Sequence, residues 1–100
     1  MKTLKEIEEK IKENLREEAG AWGTREHTHA REARANIRED AEKYQGWLVG
    51  LGIAKGILLV GNSPKERKDY IIIARGMNRH FEPTPYEQGI KEALEWVLGD

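Results

Sequence analysis

Five glycines, Gly46, Gly50, Gly52, Gly56 and Gly61, fall within sixteen residues of the most apolar part of the chain, residues 44–75. A glycine inside a helix costs roughly 1 kcal/mol relative to alanine, so one unbroken helix through this run carries a growing penalty. The spacing predicts a helix that stops near Gly50 or Gly52 and a turn through Ile53, Ala54 and Lys55. A strand over residues 57–60 then follows, closed by Gly61 and Asn62. Tyr70, Ile71, Ile72 and Ile73 form a second run of aromatic and β-branched residues, the composition that strands favour. The eight residues 62–69 are polar and short enough to join antiparallel neighbours. The expectation is a two-stranded antiparallel β-hairpin.

A competing pattern overlays the same residues. Ser63, Pro64 and Glu66 make a capping-box signature with proline at the first helical position, and Tyr70, Ile73, Ala74, Met77 and Phe81 follow at helical spacing. The alternative is therefore an all-α four-helix bundle. Three consecutive isoleucines crowd a helix at χ1, which favours the hairpin.

The flanks are helical on either reading. Thr3 and Glu6 form a capping box, and Leu4, Ile7, Ile11, Leu15 and Ala19 recur every three or four residues, predicting a helix over 3–19 ended by Gly20 and Gly23. Trp22 is expected to fold back on the core. With Thr24 as N-cap, a second helix over about 25–50 carries the seam Ala30, Ala33, Ile37, Ala41, Tyr44, Leu48 and Leu51. These two helices should form an αα-hairpin. Thr84, Pro85 and Glu87 open a last helix, with Tyr86, Ile90, Ala93, Leu94 and Val97 on one face and Gly99 as its stop. Gly89 and Ala93 make a small-residue notch beside Trp96 for close approach of another element. The expected fold is α+β in one domain, residues 1–100: the αα-hairpin, the β-hairpin and the C-terminal helix.

Composition narrows the chemistry. No cysteine is present, which excludes disulfides, thiolate metal sites and cysteine nucleophiles. Met1 leads directly into a charged amphipathic helix, and the apolar run 47–61 is short of a membrane span and broken by Lys55, so a cytoplasmic protein without a membrane partner is expected. Net charge is −1, but residues 45–82 hold Lys55, Lys65, Arg67, Lys68, Arg75 and Arg79 against Glu66, Asp69 and Glu82, a local +3. His27 and His29 lie two apart, on nearly opposite sides of a helix, and no HExxH pattern occurs. No phosphate loop, dinucleotide fingerprint or Ser-His-Asp arrangement is present, so no cofactor and no catalytic residue is assigned.

The order of a helix, then Lys55-Gly56-Ile57-Leu58-Leu59-Val60-Gly61-Asn62, then Pro64 to Arg67 resembles the segment after the active site in PD-(D/E)XK, restriction-endonuclease-like nucleases. It covers about residues 34–67. The resemblance implies a buried strand followed by a basic loop. The family's catalytic Asp and Glu-x-Lys lie upstream on strands, whereas two amphipathic helices stand upstream here, and none of their residues is carried over. Capping boxes that open three elements and the nearly pure Leu/Ile/Glu/Lys first helix are traits shared with designed sequences. The clustered glycines and the irregular segment 75–82 are traits of natural ones.

Two apolar strands leave two unpaired edges, and an isolated pair is marginal in water. The functional expectation is a small non-catalytic structural or interaction module that forms a homodimer, with Trp47, Leu58, Val60, Tyr70, Ile72 and Trp96 at the interface. Nucleic-acid binding through Lys55, Lys65, Arg67, Lys68, Arg75 and Arg79 is the alternative, and a metal-dependent enzyme using His27, His29 and His80 a second one.

Overall fold

In a computed structural model, which describes residues 1–26, 30–77 and 83–99, the chain forms four helices: α1 (Leu4–Glu26), α2 (Arg31–Val60), α3 (Pro64–Met77) and α4 (Pro85–Leu98). There is no strand among the described residues, so the expected α+β class is replaced by the all-α alternative. Residues 57–60, expected as the first strand, are the last turn of α2. The second run, Tyr70 to Ile73, lies inside α3.

Local hydrogen bonds explain the helix starts. The Glu6 amide donates to Thr3 Oγ1 at 3.2 Å while the Thr3 amide donates to Glu6 Oε1 at 3.3 Å, a reciprocal capping box. The Glu66 amide donates to Ser63 Oγ at 3.2 Å, with Pro64 at the first position of α3. The Glu87 amide donates to Thr84 Oγ1 at 3.2 Å, again beside a proline. α4 ends at Gly99 in the left-handed conformation, φ 87°, whose amide reaches the carbonyls of Glu95 and Trp96.

Two expected boundaries move. α1 runs through Gly20 and Gly23 to Glu26, and Thr24 does not cap the next helix; its Oγ1 donates back to the Gly20 carbonyl at 2.9 Å. Trp22 is half-buried on α1, with Nε1 3.4 Å from Glu18 Oε1, and is not among the core residues.

The larger correction is α2, which contains Gly46, Gly50, Gly52 and Gly56 and does not break. Tertiary packing outweighs the propensity loss, and the glycines show how. α4 crosses α2 in the same chain direction and in backbone contact. A methyl on Gly46 would run into the Tyr86 carbonyl oxygen and stand 3.0 Å from the Gly89 Cα; one on Gly89 would strike the Lys43 carbonyl oxygen and stand 2.9 Å from the Trp47 nitrogen. One turn on, a methyl on Gly50 would lie 2.8 Å from both the Ala93 Cβ and the Ile90 carbonyl oxygen. Absence of side chains at this crossing brings the helices together, and around it Leu51, Ala54, Ile90, Ala93, Leu94 and Val97 are buried.

α2 is the hub. At 1.5 Å per residue its thirty residues span about 45 Å, which accounts for most of the longest dimension of the molecule, 50 × 31 × 19 Å. α1 packs antiparallel along a neighbouring face, adding Ile7 to the core, with Glu8 near Lys55 at 3.5 Å. The Lys2 amide donates to the Val97 carbonyl at 2.7 Å, fastening the chain start to the end of α4. Among its described side chains α3 contributes Ile71 alone to the buried core, while Ile72 and Ile73 are exposed, so the isoleucine run is split by the helical period.

Candidate functional site

At 100° per residue, Val49, Gly52, Ile53, Gly56, Leu59 and Val60 fall within an arc of about 120° on α2, opposite the buried seam. All six are exposed, Leu59 and Val60 to 62% and 75%. The same arc in the N-terminal half carries Arg31, Arg34, Arg38 and Glu42. One helical face therefore changes from charged to wholly uncharged after Gln45. Lys55, the single charge within 49–60, lies off that face, against Glu8 of α1. Among the described residues nothing comes within 4 Å of a methyl placed on Gly52 or Gly56. On the following helix Tyr70, Ile72 and Ile73 are exposed as well. A row of exposed apolar residues with glycines in its middle is a surface that another helix can approach closely.

The six residues expected at an interface divide. Val60, Tyr70 and Ile72 are exposed. Trp47, Leu58 and Trp96 are half-buried and pack on the chain's own core. Val49, Ile53, Leu59 and Ile73, together with Gly52 and Gly56, were not assigned to an interface from sequence. The helical period of 49–60 is the signal that marks them, and it is invisible once the segment is read as turn and strand.

A second feature lies between α1, α2 and α4, a cleft of about 540 Å³. Trp47 of α2 and Trp96 of α4 meet there edge to face, ring centroids 6.2 Å apart. The Lys10 ammonium stands 5.5 Å and 5.6 Å from their centroids, and the Lys2 ammonium lies 5.2 Å from that of Trp96. Trp47 Nε1 donates to Glu92 Oε2 at 3.3 Å, and Lys43 Nζ reaches the same oxygen at 3.1 Å. At the far end burial raises the pKa of the Tyr44 phenol above its ordinary 10.0. The charge of Glu17, its hydrogen bond to that carboxylate and the charge of Asp40 act in the same direction, and Lys43 opposes them. On α3, a hydrogen bond to Glu66 similarly raises Tyr70.

The residues expected to contact nucleic acid do not converge on one site. Lys55 faces α1, Arg67 Nε donates to the Gly61 carbonyl at 3.1 Å, and Lys65 and Lys68 are exposed on α3. Arg75 is half-buried and has a partner within the chain. Arg79, like His27, His29 and His80, lies outside the described residues. The arginine row Arg31, Arg34 and Arg38 instead lines a groove of about 630 Å³ ending at Pro85, which also holds Glu39 and Glu42; Arg38 Nε pairs with Glu42 at 3.0 Å. Among the described residues no group of three or more acidic or histidine side chains is placed to hold a metal ion, and no helix is long and apolar enough to cross a membrane. No protein-family model, curated protein or solved structure matches the chain.

Proposed function

We propose that the chain is a small non-catalytic interaction module that pairs with a second copy of itself through the uncharged face of α2 between Val49 and Val60. The placement of Gly52 and Gly56 carries this reading. Each weakens the helix by about 1 kcal/mol, and no described residue approaches either one. Among the described residues of a single chain nothing offsets that loss, whereas a second helix lying close across both glycines does.

The face is also complementary to itself. In an antiparallel pair with its twofold axis at the level of Ala54, Gly52 meets Gly56 of the other copy and Val49 meets Leu59. No like charges oppose one another, because the face carries none. Light scattering at micromolar concentration is expected to give twice the mass of the chain. Ile53→Lys, a change at an exposed position, is expected to give the single-chain mass with an unchanged helical spectrum. A wild-type monomer at that concentration, or a dimer indifferent to Ile53→Lys, overturns the reading.

A second reading, contact with nucleic-acid phosphates, draws on Arg31, Arg34 and Arg38, which share one face and line one groove. It expects binding to a DNA duplex that weakens steeply with salt and is reduced by Arg34→Ala. Binding that does not change with salt removes it.

A further inference from the structure

The uncharged face of α2 has one edge toward α1. At 100° per residue Lys55 stands about 40° beyond Leu59, the exposed apolar residue nearest it around the helix. The Lys55 ammonium lies 3.5 Å from Glu8 Oε1, so α1 runs along this edge. Both side chains stay partly exposed, which leaves the rim open to a second molecule. Glu8 and Leu15 are seven residues apart and fall within about 20° of one another around α1. Leu15 therefore lies on the same side of α1, toward the rim. It is 52% exposed, and no other large apolar side chain described on α1 is exposed.

A lone exposed leucine is ordinary; its height along the molecule gives this one a role. α1 and α2 run antiparallel with Glu8 beside Lys55, so Leu15 lies level with Leu48, seven residues back along α2. In the antiparallel pair about Ala54, Leu59 of the other copy lies level with Val49. The two leucines then differ in height by one residue, about 1.5 Å. They also share a side. A twofold axis that crosses between two antiparallel helices sets like edge beside like edge, so the Leu59 edge of one α2 adjoins the α1 of the other copy.

Resting on the self-pairing read above, we propose that α1 completes the interface: Leu59 of each copy packs on Leu15 of the other, and the two Glu8–Lys55 pairs lie side by side near the twofold. The consequence is selectivity for a second copy of this chain. Each Lys55 brings its own counter-charge, so the two ammoniums at the twofold do not meet unopposed. An unrelated apolar helix over Gly52 and Gly56 would need both a leucine at the height of Leu15 and a balanced charge beside Glu8 and Lys55.

Both leucines are exposed in the single chain, so replacing them should leave the helical spectrum unchanged. Leu15→Lys and Leu59→Glu are each expected to weaken the dimer roughly tenfold or more, through the loss of two leucine contacts. The mass by light scattering should shift toward that of one chain. An equimolar mixture of the two variants sets ammonium against carboxylate at one contact and keeps leucine on leucine at the other, and is expected to recover twice the chain mass. Leu15→Lys mixed with Ile53→Glu, a position on the opposite edge of the face, is expected to recover nothing. A wild-type dimer that Ile53→Lys dissociates and Leu15→Lys does not overturns the role of α1 and leaves the pairing face standing; a wild-type monomer overturns both. Recovery in both mixtures, or in neither, removes the leucine contact.

Discussion

Gly46 and Gly50 on one side of α2, and Gly52 and Gly56 on the other, are the same residue type in the same helix at the same spacing, yet among the described residues only the first pair has a neighbour. At Gly46 and Gly50 the backbone of α4 lies where a side chain would be, and the core is built around that approach. At Gly52 and Gly56 the space is open among the described residues. The contrast shows that glycine in a helix has no fixed meaning: its cost of about 1 kcal/mol is constant, and the partner that offsets it differs. One pair is offset inside the chain; the other finds its partner in the proposed second copy.

The largest effect that tests this contrast is expected at the contact between Gly46 and Gly89. Alanine at either position drives a methyl into a backbone carbonyl, and neither Tyr86 nor Lys43 can relieve that by a rotamer change. The helices must separate, at an expected net cost of about 2–3 kcal/mol after the gain in helix propensity. Thermal unfolding followed by circular dichroism should show the midpoint falling by about 10 °C or more. A variant melting at or above the wild type would mean that α2 and α4 do not touch there.

Gly50→Ala comes next, because part of its clash is with a side chain. The added methyl meets the Ala93 Cβ and the Ile90 carbonyl oxygen at 2.8 Å each. A loss of about 1–2 kcal/mol is expected. Ala93→Gly in the same chain should recover the portion due to the methyl and leave the portion due to the carbonyl. A double-mutant cycle should therefore give a favourable coupling of about 1 kcal/mol, and a coupling near zero would place Ala93 away from Gly50.

These positions also show what could be read from the sequence. The starts of α1 and α4 were legible because capping is local: Thr3 with Glu6 and Thr84 with Glu87 act within one turn, whereas the Ser63–Glu66 cap of α3 spoke only for the alternative four-helix reading. The small-residue notch at Gly89 and Ala93 was legible as a place of close approach. That Gly46 and Gly50 are the other half of it was not, because the match depends on two helices running in parallel with residues 61–84 between them. Glycines without a known partner read as breaks, and that reading turned the end of α2 into a strand. The isoleucine run failed for a related reason. Its residues were weighed by strand propensity, whereas the Ser63 cap had already committed the chain to a helix that buries Ile71 and exposes Ile72 and Ile73. The cleft was the least legible feature, since Trp47, Trp96 and Asn14 converge only once α1, α2 and α4 are packed.

The smallest effect is the most discriminating, because its sign depends on concentration. Gly52→Ala and Gly56→Ala place a methyl in open space within the chain and replace the weakest ordinary helix former with the strongest. Each should stabilise the separate chain by about 0.5–1 kcal/mol, partly by restricting the unfolded state. In dilute solution the melting midpoint should rise by several degrees. In concentrated solution the same methyls stand between the two copies, so the mass by light scattering should fall towards that of one chain. A rise in stability with no change in mass would leave Gly46 and Gly50 explained and remove the proposed partner of Gly52 and Gly56. A fall in stability at every concentration would mean that the open face is covered from within the chain, contrary to the packing described above.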